Sequence, residues 1–282
     1  MRFTKLEGCG NDYLFVDLTG GRSIRDPGEC ARRISDRRFG VGADGLILIT
    51  DPPAGSGTDL GMTMYNADGS PSGMCGNGFR GLCKYAFEHG LVKKEEIRVM
   101  TGAGLRIGRL HLEGGKVSRV TVDLGLPGLN RGDLPMEGPA GPAIDVLLRA
   151  AGRELTGTAV SMGNPHFVVF VEGDVDDFPV GEVGPEVEHH TLFPHRANAS
   201  FVQVLGKREV RQRTWERGSG ETLACGTGAA AVCVAGIVTG RLESPVTAHL
   251  RGGDLVLEWA GKGSPVLKTG PSVEVFSGEY PW

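Results

Sequence analysis

The chain repeats itself across its two halves. Cys75-Gly76-x-Gly78 followed by Cys83 recurs as Cys225-Gly226-x-Gly228 followed by Cys233, displaced by 150 residues at every position. The match extends upstream, where "MTMYNADGSPSGMCGNG" lies over "QRTWERGSGETLACGTG" and sets Tyr65 on Trp215. "GND" at 10–12 lies over "GNP" at 163–165, and "GADGLILI" at 42–49 over "RANASFVQV" at 196–204, with shifts of 153 and 154 that small insertions account for. A period this long predicts two duplicated domains. Solenoid units run to only about 20–50 residues.

The 282 residues suffice for two domains of ordinary size. The 46 glycines are scattered through turns rather than set in a triplet period, which fits many tight hairpins. Strand-like runs dominate both halves: 13–17, 46–50 and 116–125 in the first, and 166–172, 200–205 and 255–260 in the second. Helices are expected over 30–38, 78–90 and 228–240, the last two ending at Gly90 and Gly240. The Gly- and Pro-rich segment 124–145 reads as the connection between halves. "GAAAVCVAGIVTG" (228–240) is apolar on every side, so that helix should be buried all round. Each half is therefore expected to be a curled sheet around a central apolar helix.

A net charge of −4, with no long block of either sign, argues against a nucleic-acid partner. The longest apolar run, Ala229 to Val238, is about half of what spans a bilayer. The first residues lack a signal-peptide core, so the expectation is a cytoplasmic protein, with its six cysteines reduced. The C-x7-C spacing lacks the close pairing of zinc motifs, and no metal is expected.

Two thiols at two helix mouths carry the chemical argument. A helix N-terminus offers unpaired N–H groups and partial positive charge, which favour an anion. The same field is expected to lower the pKa of a neighbouring cysteine, and the flanking glycines let a ligand approach the backbone. Related by a pseudo-twofold, the two sites are expected to face one anion pocket in the interdomain cleft. Inverting a stereocentre removes a proton from one face and returns one to the other, so equivalent carriers are needed on both sides. Cys75 and Cys225 fit those roles, while Cys83 and Cys233, deep in their helices, read as small core hydrophobes. A Cys–His nucleophile using His166 would leave the second Cys-Gly-x-Gly unexplained.

The repeat also breaks informatively. Asn66-Ala67 aligns with Glu216-Arg217. Arg can pair a carboxylate through two parallel hydrogen bonds, and Glu an ammonium, so a substrate with a second amino-acid head group would satisfy both.

"GCGNDYLFVD", "YNADGSPSGMCGNGFR", "GNPHFV", "RANASFVQV" and "WERGSGETLACGTGAAA" resemble the successive motifs of the diaminopimelate epimerases, over essentially the whole chain. The resemblance implies cofactor-independent interconversion of LL- and meso-2,6-diaminopimelate, feeding lysine and peptidoglycan precursors. It implies Cys75 and Cys225 as the acid–base pair, with N–H groups of Gly76, Asn77, Gly226 and Thr227 for the reacting α-carboxylate. Asn11, Asn66, Asn164, Asn198, Glu216 and Arg217 match the family's substrate-binding positions, and His166 lies beside the pocket. At Gly45 some members carry Gln. The implied fold is α/β (α+β), with two pseudo-symmetric domains, each a mixed, mostly antiparallel sheet around a central helix. The expected domains are 1–123, joined by a returning strand at 269–282, and 124–268. The expected partner is a small-molecule substrate, and a homodimer is the candidate assembly.

Two other readings stay open at this point. One is a racemase of the proline or histidine type, although proline lacks distal charges for Glu216 and Arg217. The other is a non-catalytic amino-acid-binding protein, which would need neither thiol.

Overall fold

The computed structural model describes residues 1–282, which divide into two compact units: Met1–Asp123 with Thr269–Trp282, and Leu124–Lys268. The first unit begins with β1 (Arg2–Gly8), β2 (Asn11–Asp17), α1 (Pro27–Ile34), β3 (Gly45–Thr50), β4 (Leu60–Asn66) and β5 (Pro71–Ser72). It continues with α2 (Gly76–Glu88), β6 (Glu96–Thr101), β7 (Gly104–Glu113) and β8 (Lys116–Asp123). The second unit contains β9 (Val146–Ala150), β10 (Arg153–Ser161), β11 (Pro165–Phe170), α3 (Val180–Glu188), β12 (Asn198–Gly206), β13 (Glu209–Glu216) and β14 (Gly220–Thr222). After these come α4 (Gly226–Val238), β15 (Val246–Leu250), β16 (Gly253–Trp259) and β17 (Val266–Pro271); β18 (Val273–Glu279) then pairs antiparallel with β1.

The two units share one pairing scheme. In the first, β1 is antiparallel to β2, β2 parallel to β3, β3 antiparallel to β4, β4 parallel to β6 and β6 antiparallel to β7. In the second, β10, β11, β12, β13, β15 and β16 repeat that order and those directions. The principal helices are also in step, because Gly76–Glu88 and Gly226–Val238 are both 13 residues long and displaced by 150. The strand registers refine the sequence superposition by one position. Tyr13 pairs with Gly45 and His166 with Asn198, so Gly45, not Asp44, is the counterpart of Asn198.

Alanine-rich α4 combines high helix propensity with burial of every residue from Gly228 to Gly236. It ends at Gly240, whose φ of +69° is the left-handed conformation that glycine accepts without strain. The helix of the first unit is not apolar in the same way. Asn77, Arg80 and Lys84 of α2 are buried, and Lys84 Nζ donates to the Val117 carbonyl and to Glu88 Oε1, each at 2.7 Å. Close packing of α2 depends on missing side chains: a Cβ on Gly81 would lie 2.6 Å from Phe15 Cζ. One on Gly108 would lie 2.5 Å from Cys83 Sγ. Cys83 and Cys233 are fully buried, as expected for core thiols.

Several local expectations shift. The first helix runs Pro27–Ile34 rather than 30–38, because Asp26 caps it by accepting the Glu29 N–H and Pro27 opens it. The 124–145 segment is not a free connection: Leu134, Met136 and Ala143 enter the core of the second unit with Phe167 and Phe201. Helix α3 lies in a stretch that reads as a breaker, "VGEVGPEVE". Val180, Val183 and Val187 face the core, and Gly184 leaves room for Trp215, whose Cγ would be 2.6 Å from a Cβ there. No helix is long and apolar enough to cross a membrane.

Candidate active site

Each unit carries one thiol at the mouth of its principal helix. Cys75 is the N-cap of α2 with φ −121° and ψ 126°; Cys225 is the N-cap of α4 with φ −116° and ψ 107°. The backbones match, and in each case the following residues open the helix with N–H groups that have no intrahelical acceptor.

In the first unit the half-buried Cys75 sits in an amide network. Its Sγ donates to Asn11 Oδ1 at 3.4 Å, and Asn77 Nδ2 donates to the same oxygen at 3.3 Å. Asn11 is held in turn by Asp44, which accepts from its Nδ2. Behind this lies an ion-pair cluster in which Asp12 meets Lys5 at 2.7 Å and Arg37 at 2.6 Å, and Arg37 also reaches Asp44 at 3.0 Å. Burial would raise the Asp12 pKa, but Arg37 and Lys5 outweigh it and hold the carboxyl below its ordinary value. The buried Tyr13 hydroxyl lies beside Cys75 and Asn11; burial and then the thiol push its pKa up, so it stays protonated. Asn66 does not join this network: its Nδ2 donates to Ser70 Oγ within its own turn at 2.9 Å. Gly45 cannot carry a longer side chain in this backbone, since a Cβ would lie 2.3 Å from the Tyr65 carbonyl oxygen.

In the second unit Cys225 is only 3% exposed and caps its own helix, accepting the Gly228 N–H at 3.3 Å. Thr227 Oγ1 lies 3.6 Å from the sulfur and accepts from Asn164 Nδ2 at 3.4 Å. The carboxylate of Glu216, held by the Thr222 hydroxyl at 2.6 Å, also neighbours the thiol. Burial and then Glu216 push the Cys225 pKa up to about 12, against the smaller opposing effects of Thr227 and the Gly228 N–H. The expectation of a lowered pKa at both helix mouths therefore fails at Cys225, where burial and Glu216 outweigh the hydrogen bonds with Thr227 and the Gly228 N–H. Asn198 joins two elements: its Nδ2 donates to the Pro165 carbonyl at 3.0 Å and its Oδ1 accepts the Arg217 N–H at 2.9 Å. The Arg217 guanidinium donates to the His195 carbonyl at 3.0 Å and is exposed.

His166 is completely buried, and burial, then Arg217, lower its pKa to about 3. The neutral ring donates from Nε2 to Asn164 Oδ1 at 3.0 Å, leaving Nδ1 as an acceptor without a partner. Sequence reading missed Tyr13, Asp44, Ser70 and Thr222, which hold the candidate residues in place. Tyr13 was findable, because it takes the place of His166 in the repeat. None of the six cysteines forms a disulfide, and no group of three or more His, Cys, Asp or Glu side chains comes together as a metal site.

Comparison with known proteins fits this geometry. The chain is 50% identical over 281 residues to the diaminopimelate epimerase of Moorella thermoacetica, covering 100% of this chain and 99% of that protein. It is 48% identical over 283 residues to that of Pelotomaculum thermopropionicum, again covering 100% and 99%. Among solved structures, a Bacillus anthracis phenazine biosynthesis protein of the PhzF family superposes with a TM-score of 0.69 at 15% identity, covering 100% of this chain and 99% of that one. A hydroxyproline epimerase from Agrobacterium vitis gives 0.66 at 14%, covering 99% and 91%. At such identities these two likenesses speak for the fold alone. The family profile described as diaminopimelate epimerase matches residues 3–129 and 158–275; the chain belongs to the diaminopimelate epimerase family.

Proposed function

We propose that this protein interconverts LL- and meso-2,6-diaminopimelate without a cofactor, with Cys75 and Cys225 as its two proton carriers. The observation that carries this reading is the matched pair of cysteine N-caps on helices of equal length, one in each half of a duplicated chain. A single nucleophile would require only one, and a binding module neither.

In one direction a thiolate removes the α-hydrogen as a proton, leaving the electron pair on the α-carbon. The other thiol gives its proton to the opposite face. The sulfurs finish with exchanged protonation, and the reverse reaction restores them. Burial and Glu216 push the Cys225 pKa up and keep it a thiol, which suits it to the role of proton donor. N–H groups of Gly76, Asn77, Gly226 and Thr227 bind the α-carboxylate and stabilise negative charge as it spreads from the α-carbon. Glu216 and Arg217 take the distal ammonium and carboxylate, with Asn11, Asn66, Asn164 and Asn198 fixing the length of the chain between. In this reading the protein works in the cytoplasm, where thiols stay reduced, and assembles as a homodimer.

The test is incubation with LL-diaminopimelate in D2O with no added cofactor, followed by chiral analysis and mass spectrometry. The expected product is the meso isomer carrying one deuterium at the inverted carbon. Absence of both inversion and exchange would leave a binding protein and remove this reading.

A further inference from the structure

Arg80 is the largest fully buried side chain in the protein, and the proton-transfer scheme leaves it unused. It sits in the second turn of α2, and helical side chains lean toward the N-terminus, so its guanidinium reaches back beneath the mouth where Cys75 sits. NH1 donates to Asn77 Oδ1 at 2.8 Å, and Nε to the Pro271 carbonyl at 3.0 Å. NH2 is buried with no hydrogen-bond partner. It points to the start of the β1–β2 turn, where a Cβ on Gly8 would lie 2.9 Å from it.

A guanidinium stays charged in a protein, and a buried charge without a bonded anion is costly. The groups of opposite or potential negative charge that face Arg80 are Glu7 and Cys9 from β1 and its turn, and Cys75 from the helix mouth. Glu7 is only partly buried and already accepts the Gly10 N–H through Oε2 at 3.0 Å. Tyr13 faces Cys75 from β2 but stays protonated, so it brings no competing charge. One chain of contacts therefore runs from Pro271 through Arg80, Asn77 and Asn11 to the Cys75 sulfur and to Asp44. Arg80 is the only cation bonded directly into the half nearest the helix.

We propose that Arg80 is a positioning residue for the Cys75 half-site. It fixes the Asn77–Asn11 amide pair against the sulfur, and its buried charge balances that sulfur when it is anionic. The proposal deepens the acid–base reading of Cys75 and rests on it for its catalytic meaning. The equivalent position in the second unit is Ala230; the buried cation at that helix mouth is instead Lys268, whose Nζ lies against Gly226.

The test reads Cys75 directly. In a Cys225→Ala background, alkylation of Cys75 by iodoacetamide is followed across pH by peptide mass spectrometry. Arg80→Met should slow it about tenfold at pH 7 and move the pH of half-maximal rate up by about one unit, the low end of what an adjacent opposite charge supplies. Arg80→Lys keeps the charge but cannot bridge Asn77 and Pro271 with a planar fork. It should preserve the alkylation profile while kcat of the chain with both cysteines falls about tenfold and KM changes little. A folded Arg80→Met that alkylates like its parent overturns the proposal. Should Arg80→Met fail to fold in a thermal melt, Arg80→Lys decides: retained alkylation with reduced kcat supports the proposal, and any other pairing overturns it. The alkylation result stands even if the wild type shows no α-hydrogen exchange, the outcome that would sink the epimerase reading instead.

Discussion

The two helix mouths share a backbone and differ in nearly everything around it. Cys75 is half-buried, leaves its helix uncapped and lies in a web of amides backed by Arg80 and an Asp12–Arg37–Asp44 cluster. Cys225 is buried among alanines, caps its own helix and has the Glu216 carboxylate for a neighbour. Duplication preserved the parts that position a thiol against helix N–H groups, whereas the surroundings that set its charge diverged. A symmetric reaction can tolerate this, since only the reacting carbon is symmetric.

If both mouths serve the same carbon, neither can be spared. Cys75→Ala and Cys225→Ala should each reduce turnover by about a thousandfold or more, within the range for removing a general acid or base, with melting temperature little changed. A folded single variant turning over near the wild-type rate would make the second motif a relic. Asymmetry is tested next. Arg217 aligns with Ala67 and is exposed, so Arg217→Ala should leave folding intact and lower kcat/KM by about tenfold or more, the low end for hydrogen bonds to a charged group. Equal turnover, by the wild type, of an analogue lacking the distal carboxylate would show that Arg217 does not select substrate.

The buried pair Tyr13 and His166 offers a pH test. The folded protein refuses a proton that the unfolded chain accepts at His166, so this stabilising contribution is complete above about pH 6.5 and is lost as pH falls toward about 3. Urea unfolding of the wild type should lose up to about 1.4 kcal/mol per pH unit through that window from this group. His166→Gln should flatten the slope by that amount; an unchanged slope would mean the ring is solvated or already charged. The smallest effect concerns Gly45, the counterpart of Asn198. Gly45→Ala should destabilise the protein by about 1 kcal/mol or somewhat more, since its Cβ meets backbone rather than a movable side chain. A neutral result in chemical denaturation would show that β3 can shift away from Tyr65.

Much of this was legible in the residues because duplication supplies an internal control. The 150-residue displacement located both N-caps, and the all-apolar "GAAAVCVAGIV" announced a buried helix. What escaped was set by contacts distant in sequence. Asp44 and Asn198 look like partners in a superposed string, yet strand register equates Asn198 with Gly45. The rise in the Cys225 pKa depends on how completely tertiary packing dries the sulfur, which no local motif encodes. Arg80 follows the Gly-x-Gly signature directly, but a string cannot show that its side chain is buried under the thiol. Helix α3 was hidden by Gly184 and Pro185, the first of which is needed to seat Trp215.

The pairing of β18 with β1 bears on the order in which the protein can be made. Arg2 leaves the ribosome long before its register partner Glu279. Until then β1 offers an unpaired edge, the kind of strand that invites association with other chains. The second unit lies within Leu124–Lys268 without interruption, so all its strands have been synthesised while the first still lacks one. A unit whose first strand is completed by one so much later in the sequence carries an aggregation hazard during translation, and that hazard ends when the later strand docks.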